Sequence, residues 1–212
     1  MTASEEKFTR QRLLEVQTLT PNLFTLRTSR DPGFRFTAGQ FARLGVRKPS
    51  GCIVWRAYSM VSAPHDEFLD FFSIVVPDGE FTSELSRLEV GDELLVDKQA
   101  FGFLTLDRFP DGRDLWLLAT GTGIAPFRAF LQERRATAAT GPSWLFFGDR
   151  RRATDYLYRD DLDGFRADGT LSRLDLAFYR DRADGNKVYV QHLMAARADE
   201  LFGWLSDGAH LY

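Results

Sequence analysis

Residues 114–127 read DLWLLATGTGIAPF, and they decide the fold of the second half of the chain. Leu115 to Ala119 is an unbroken apolar run, as a strand buried on both faces of a parallel sheet requires. Gly121 and Gly123 follow as a turn, and a helix is predicted from Ala125 to Arg135 with Pro126 in its first turn, where a missing N–H costs little. Glycines let a backbone approach a ligand closely, and the helix N-terminus beyond them favours anions. The stretch is not a dinucleotide fingerprint, because Pro126 stands where a third glycine belongs, and no Gly-Lys-Ser/Thr follows to make a P-loop.

Downstream, the same alternation repeats. SWLFFG (143–148) and RLDLAFY (173–179) read as further buried strands. TDYLYRDDLDGF (154–165) reads as one helix capped by Thr154, and VYVQHLMAARADELFGWL (188–205) as another. AHLY (209–212) reads as a strand just begun, either an abbreviated edge strand or the start of a pattern that is cut short. Strand and helix in alternation predict a doubly wound α/β domain.

Upstream the texture differs. RLLEVQTLT (12–20), LFTLRTSR (23–30), QFARLGV (40–46), LDFFSIVV (69–76) and DELLVDKQ (92–99) are short β-rich runs. Pro-Asn, Asp-Pro-Gly, Pro-Ser-Gly and Pro-Asp-Gly turns separate them, with a single short helix expected at Thr82 to Leu88. Such spacing predicts an antiparallel sandwich or barrel. The boundary falls near residues 107–113, giving an N-terminal domain 1–108 and a C-terminal domain 109–212.

Composition narrows the function. With 27 basic and 30 acidic residues the formal charge is −3, which lacks the basic excess of a nucleic-acid binder. Cys52 is the only cysteine, so no intrachain disulfide forms and no cluster-binding cysteine pattern exists. The first ten residues, MTASEEKFTR, carry acidic side chains and no apolar run, unlike a signal peptide. No apolar run reaches membrane-spanning length. A cytoplasmic protein, without metal, is the expectation.

Three further stretches carry chemistry. WRAYSM (55–60) puts a cation, an aromatic ring and a hydroxyl within four positions, at Arg56, Tyr58 and Ser59. A solvated strand face would explain them; so would a ligand with a phosphate and a flat ring. DGEFTSELSRL (78–88) sets Gly79, Thr82 and Ser83 before a short helix, as a turn with a hydroxyl cap or as a second anion site. After the strands at 143–148 and 173–179 come Arg150, Arg151 and Arg152, then Arg180, Lys187 and Tyr189. Ligands of a doubly wound sheet bind beyond the carboxyl ends of its strands, where cations suit a 2′-phosphate and an acid suits a ribose hydroxyl. Asp149 stands near that acidic position.

Taken in order, FTAGQF (36–41), RAYSMVSAP (56–64), FFSIVVPDGEFTSEL (71–85) and LLATGTGIAPF (117–127) resemble bacterial ferredoxin/flavodoxin–NADP⁺ reductases. FFGDRRRATDYLYRDDL (146–162), LAFYRDRADGNKVYVQHLM (176–194) and LSDGAHLY (205–212) are similar to plant-type reductases and the NADPH domains of diflavin reductases. The resemblance spans nearly the whole chain. It implies an antiparallel Greek-key β-barrel that binds FAD, followed by a doubly wound parallel α/β domain that binds NADP(H).

In that family Tyr58 would stack on the isoalloxazine, Arg56 would pair with the diphosphate of FAD, and Ser59 would lie near flavin N5. Tyr58 and Ser59 would thus be the catalytic positions. Main-chain groups of Ile74 and Val75 would meet the flavin's polar edge, and Gly79, Thr82 and Ser83 would hold the FAD diphosphate. Gly121, Thr122, Gly123 and Pro126 would receive the NADP(H) diphosphate and nicotinamide, while Arg150, Arg180, Lys187 and Tyr189 would read the 2′-phosphate and adenine. Two departures stand out: Tyr179-Arg180 replaces the usual Ser-Arg pair, and the family's block Cys-Gly-Asp and terminal aromatic segment do not follow Tyr212.

The activity implied is electron transfer between NADP(H) and ferredoxin or flavodoxin through FAD, by a monomer. Alternatives are the reductase component of an oxygenase, a free flavin reductase, or a non-catalytic flavin-binding module.

Overall fold

In the computed structural model, the described residues are 7–108, 114–181 and 185–212, and their contacts divide the chain into two compact units, Met1–Thr105 and Leu106–Tyr212. Residues 109–113, most of the stretch read as the domain boundary, lie outside the described residues.

The first unit holds β1 (Phe8–Thr20), β2 (Leu23–Ser29), β3 (Phe41–Arg47), β4 (Ile53–Ser59), β5 (Phe68–Ile74), the short helix α1 (Thr82–Leu85) and β6 (Glu93–Phe101). The sheet order is β4-β3-β6-β1-β2-β5, with each pair antiparallel. β1 is long enough to serve two partners. Its first residues, Phe8 to Arg12, pair with β6, and those from Leu13 onward pair with β2. The outermost strands meet: Val61 N–H, just past β4, donates to Asp70 O of β5 at 2.9 Å, and the Tyr58 and Ser73 hydroxyls lie 2.8 Å apart. The sheet therefore curls into a barrel, which removes the exposed edge that an open sheet would leave.

Alternation along each strand fills the interior. Leu13, Leu26, Leu44, Leu69, Phe71, Leu94 and Val96 point inward and form one core with Met60 and Phe81. On the outside, Arg27 and Asp70, opposite each other on β2 and β5, form a two-pronged ion pair at 2.8 and 2.9 Å. Gly45 on β3 has its own reason to be glycine: an added Cβ would meet the Trp55 ring at 2.8 Å, so the indole lies flat across the sheet there.

The second unit begins with a 3₁₀ turn (Leu106–Arg108) and contains β7 (Leu115–Thr120), α2 (Ala125–Ala136), β8 (Ser143–Asp149), α3 (Arg152–Asp155), α4 (Arg159–Ala167), β9 (Arg173–Phe178), α5 (Val190–Ala195), α6 (Ala198–Ser206) and β10 (His210–Leu211). The sheet is parallel, in the order β10-β7-β8-β9. From β7 the chain moves outward to β9, then returns past its start to β10. That reversal packs α5 and α6 on the face of Trp116, Trp144, Phe146 and Ala177. The doubly wound fold is thus present, and the reversal between β7 and β10 marks its switch point.

Three helices differ from their sequence reading; the short one expected at Thr82 to Leu88 already stops at Leu85, where Ser86 N–H closes back on Thr82 O at 3.0 Å. The segment read as one helix from Thr154 is broken at Tyr156–Tyr158, with Tyr158 at φ +54°. Packing explains the break: Leu157 is buried, and the Tyr156 ring lies 5.5 Å from that of Phe178 on β9. Thr154 is not a cap; Asp155 reaches back to the Arg151 N–H at 2.9 Å instead. The long helix read from residue 188 begins at Val190 and breaks after Ala195; at the break Arg197 reaches Asp175 of β9 at 3.2 Å. Asp175 also accepts the Trp144 indole N–H at 2.8 Å.

Candidate functional site

In the barrel unit, the pleat puts Arg56 and Tyr58 on one face of β4 and Trp55 on the other, while Ser59 ends the strand opposite Phe41. Tyr58 is half-buried. Its hydroxyl is held by Ser73, and its ring packs beside Phe81 with centroids 5.5 Å apart. Burial pushes the Tyr58 phenol up from its ordinary value; the Ser73 bond and Arg56 pull the other way without cancelling it. The phenol is therefore neutral at physiological pH. Arg56 is exposed, and its one described hydrogen bond runs to the carbonyl of its neighbour Trp55, at 2.8 Å. Most of its guanidinium N–H groups are thus available to a ligand.

The end of β5 and the start of α1 are tied together by Thr82. Its hydroxyl oxygen accepts the Val76 N–H at 3.1 Å. Val76 O accepts the Gly79 N–H at 2.9 Å across a tight turn in which Asp78 takes φ +58°. A Cβ on Gly79 would sit 2.6 Å from the Thr82 Oγ1 and 2.9 Å from Val76 O, so only glycine closes this turn. Val75, whose N–H donates to Asn22 O at 2.8 Å, packs on the same core as Tyr58. Ile74 is exposed beside it. The structure brings Ile74, Val75, Gly79, Thr82 and Ser83 into one ledge. Lys48 pairs with Glu80 at 2.8 Å and holds that carboxyl below its usual range, with a smaller push from Arg56. Arg56 shares its face of β4 with Tyr58, whose ring packs on Phe81 of this same segment.

An exposed guanidinium, a ring fixed by its own hydroxyl and a glycine turn with hydroxyls beside it make a donor set that fits a flavin bearing a diphosphate. Sequence reasoning did not single out Ser73 and Phe81, which fix the ring. The signal was there for Ser73, a lone hydroxyl in the apolar run FFSIVV.

In the second unit, Gly121 opens a 3₁₀ turn, Gly121–Ile124, directly after β7, with φ +52°. Gly123 has nothing within 4 Å of where a Cβ would stand. A Cβ on Gly121, by contrast, would stand 3.8 Å from Asp149 Oδ2. Thr122 lies between the two glycines, and Pro126 is buried in the first turn of α2. Beyond β8 and β9, Arg180 N–H donates to Arg150 O at 2.8 Å, which sets those two residues side by side. The Tyr179 and Tyr189 rings lie 4.9 Å apart, with the Arg180 guanidinium 5.6 Å from the Tyr179 ring. Tyr189 N–H donates to His192 Nδ1 at 3.1 Å, which steadies the start of α5. Lys187 is exposed two residues before Tyr189. The cations fit a phosphorylated nucleotide, and the open glycine turn fits a diphosphate.

Residues 8–98 match the family described as FAD-binding domain, and residues 117–212 match the oxidoreductase NAD-binding domain. A ferredoxin NADP⁺ reductase from Neisseria gonorrhoeae, solved with bound FAD and NADP, superposes with a TM-score of 0.82 at 31% identity, covering 98% of this chain and 85% of that one. The chain belongs to the ferredoxin–NADP⁺ reductase superfamily. Ferredoxin–NADP reductase A of Sorangium cellulosum is 49% identical over 126 residues, 59% of this chain and 45% of that protein. The sulfite reductase flavoprotein alpha-component of Bacillus subtilis is 44% identical over 126 residues, 59% of this chain and 20% of that protein. The matched stretches span less than half the length of these two curated relatives. FAD and a nicotinamide dinucleotide are accordingly the cofactors of its two domains. Among the described residues, no helix is long and apolar enough to cross a membrane.

Proposed function

We propose that this protein transfers electrons between NADP(H) and a one-electron protein carrier, ferredoxin or flavodoxin, through FAD held on the barrel unit. The observation that carries the reading is a hydroxyl-locked Tyr58 that shares its strand face with the exposed Arg56 and packs on Phe81, two residues past a turn that admits only glycine at residue 79. FAD, when bound, supplies a hydride acceptor that can release electrons one at a time. The chain's residues position and tune. Tyr58 offers a flat face whose tilt Ser73 and Phe81 fix. Arg56, Thr82 and Ser83 neutralise and hold the diphosphate, and Ser59 stands at the strand end to hydrogen-bond the flavin near its reacting nitrogen. Gly121, Thr122, Gly123 and Pro126 seat the second cofactor's diphosphate; Arg150, Arg180, Lys187 and Tyr189 hold its 2′-phosphate and adenine.

Similarity to a sulfite reductase flavoprotein favours a second reading, in which the one-electron acceptor is a partner subunit or domain rather than a diffusing carrier. Stopped-flow mixing of the FAD-loaded protein with NADPH, followed by addition of ferredoxin or flavodoxin, tests both. Bleaching of the flavin band, then its return on adding a carrier, supports the first reading. Bleaching with no return from either carrier supports the second. Absence of bleaching by NADPH and by NADH leaves a flavin-binding module and refutes both.

A further inference from the structure

The connectivity of a dinucleotide gives Asp149 a task, on the reading above that places the diphosphate at the Gly121 turn and the 2′-phosphate and adenine with Arg180 and Tyr189. β8 lies between β7, which carries the first of these sites, and β9, which precedes the second. Neighbouring strands are about 4.8 Å apart, so the two sites are separated by roughly 10 Å at the sheet's edge. The group that joins diphosphate to adenine is the adenosine ribose. It must cross the end of β8, whose last residue is Asp149.

The surroundings of Asp149 agree with that placement. Its main-chain oxygen accepts the Tyr179 N–H at 3.1 Å, which ties it to the β9 side. On the β7 side its Oδ2 lies 3.8 Å from the position of a Cβ on Gly121. Oδ1 accepts the Arg150 N–H at 2.7 Å. Among the described residues Oδ2 has no hydrogen-bond partner, and the carboxylate forms no ion pair although Arg150, Arg151 and Arg152 follow it directly. An ionised carboxylate oxygen only accepts hydrogen bonds, so this one can take a donor from the group that crosses here, and a ribose offers hydroxyls.

We propose that Asp149 accepts a hydrogen bond from a hydroxyl of the adenosine ribose, so that the site admits NAD(H) as well as NADP(H) and Asp149 sets the balance between them. Without a 2′-phosphate the ribose offers two hydroxyls to Oδ2. With one, a phosphate stands near a carboxylate, and the repulsion offsets part of the attraction from Arg150, Arg180 and Lys187.

Calorimetric titration of the full chain with 5′-AMP and with adenosine 2′,5′-bisphosphate, at one fixed pH and salt concentration, reads the balance without any turnover. Asp149→Asn removes the charge while keeping an oxygen for the Arg150 N–H; Asp149→Ala removes both. In both variants the ratio of the two affinities should move toward the bisphosphate by about tenfold. In Asp149→Ala, 5′-AMP should weaken outright. An unchanged ratio in both variants, or an equal loss of both ligands, overturns the assignment and leaves the nucleotide site itself standing. If the unaltered protein binds neither ligand, the nucleotide site falls, and this inference with it.

Discussion

The hydroxyl of Tyr58 lies 2.8 Å from that of Ser73, and the bond joins β4 to β5, the two strands that end the sheet order. The bond therefore helps to close the barrel, beside the Val61–Asp70 main-chain bond, and together with Phe81 it sets the tilt of the ring proposed to face the flavin. Tyr58→Phe keeps the ring but leaves the buried Ser73 hydroxyl alone, at a cost of about 1–3 kcal/mol. Ser73→Ala orphans the phenol instead. The double variant, lacking both hydroxyls, should recover much of the loss. Urea denaturation of the four proteins measures the coupling; strictly additive losses would mean the bond contributes nothing.

Gly79 and Gly123 should respond to alanine in opposite ways. At Gly79 the new methyl meets Thr82 Oγ1 and a main-chain oxygen, so stability falls by about 1–3 kcal/mol and FAD uptake falls with it. At Gly123 nothing lies within 4 Å and φ is not positive, so the fold should hold or gain about 0.4–1 kcal/mol. Because that methyl projects into the space proposed for the diphosphate, nucleotide affinity should nonetheless drop. Melting temperature and nucleotide titration, measured side by side, check both halves of the contrast.

Much of this was legible in the sequence because strand and helix periods are local. The runs at 115–120 and 143–148 became β7 and β8 almost residue for residue, and Gly121 sits where its turn was read. What escaped was what distant residues impose. Phe178 of β9 breaks the helix expected from Thr154 by packing on Tyr156, and where α5 gives way to α6 Arg197 pairs with Asp175 of β9. WRAYSM gave the chemical types of the site, but not the partner that fixes Tyr58, since Ser73 is fifteen residues away in sequence and adjacent only after the barrel closes.

Asp149 should also leave a mark on stability against pH. Burial, the largest influence, holds its carboxyl above the ordinary range, with a smaller push from the Asp155 carboxylate; the Arg150 N–H bond and the Arg150 charge act the other way. A raised folded-state value means the native chain keeps this proton more tightly than the unfolded chain. The ionised group therefore costs stability at neutral pH, and the cost fades as pH falls from the raised value toward about 3.9, that of an unfolded aspartate. Asp149→Asn should be more stable than the unaltered protein at pH 7, by a margin that shrinks through that window. A margin that is constant with pH contradicts the shift.

Arg180→Ala should weaken NADPH by about tenfold while leaving NADH within about twofold, because one charge-assisted phosphate contact is lost. The test is the Michaelis constant for each coenzyme with an artificial acceptor such as ferricyanide. Equal losses for both coenzymes would place Arg180 elsewhere than at the 2′-phosphate.

The central claim is that the barrel unit grips FAD, and titration of the flavin-free protein with FAD, followed by flavin fluorescence, tests it most directly. Stacking on Tyr58 should quench the emission and yield a yellow protein that saturates at equimolar FAD, with Arg56→Ala shifting the curve at least about tenfold to weaker binding. A folded protein that leaves the fluorescence of added FAD unchanged would contradict the account.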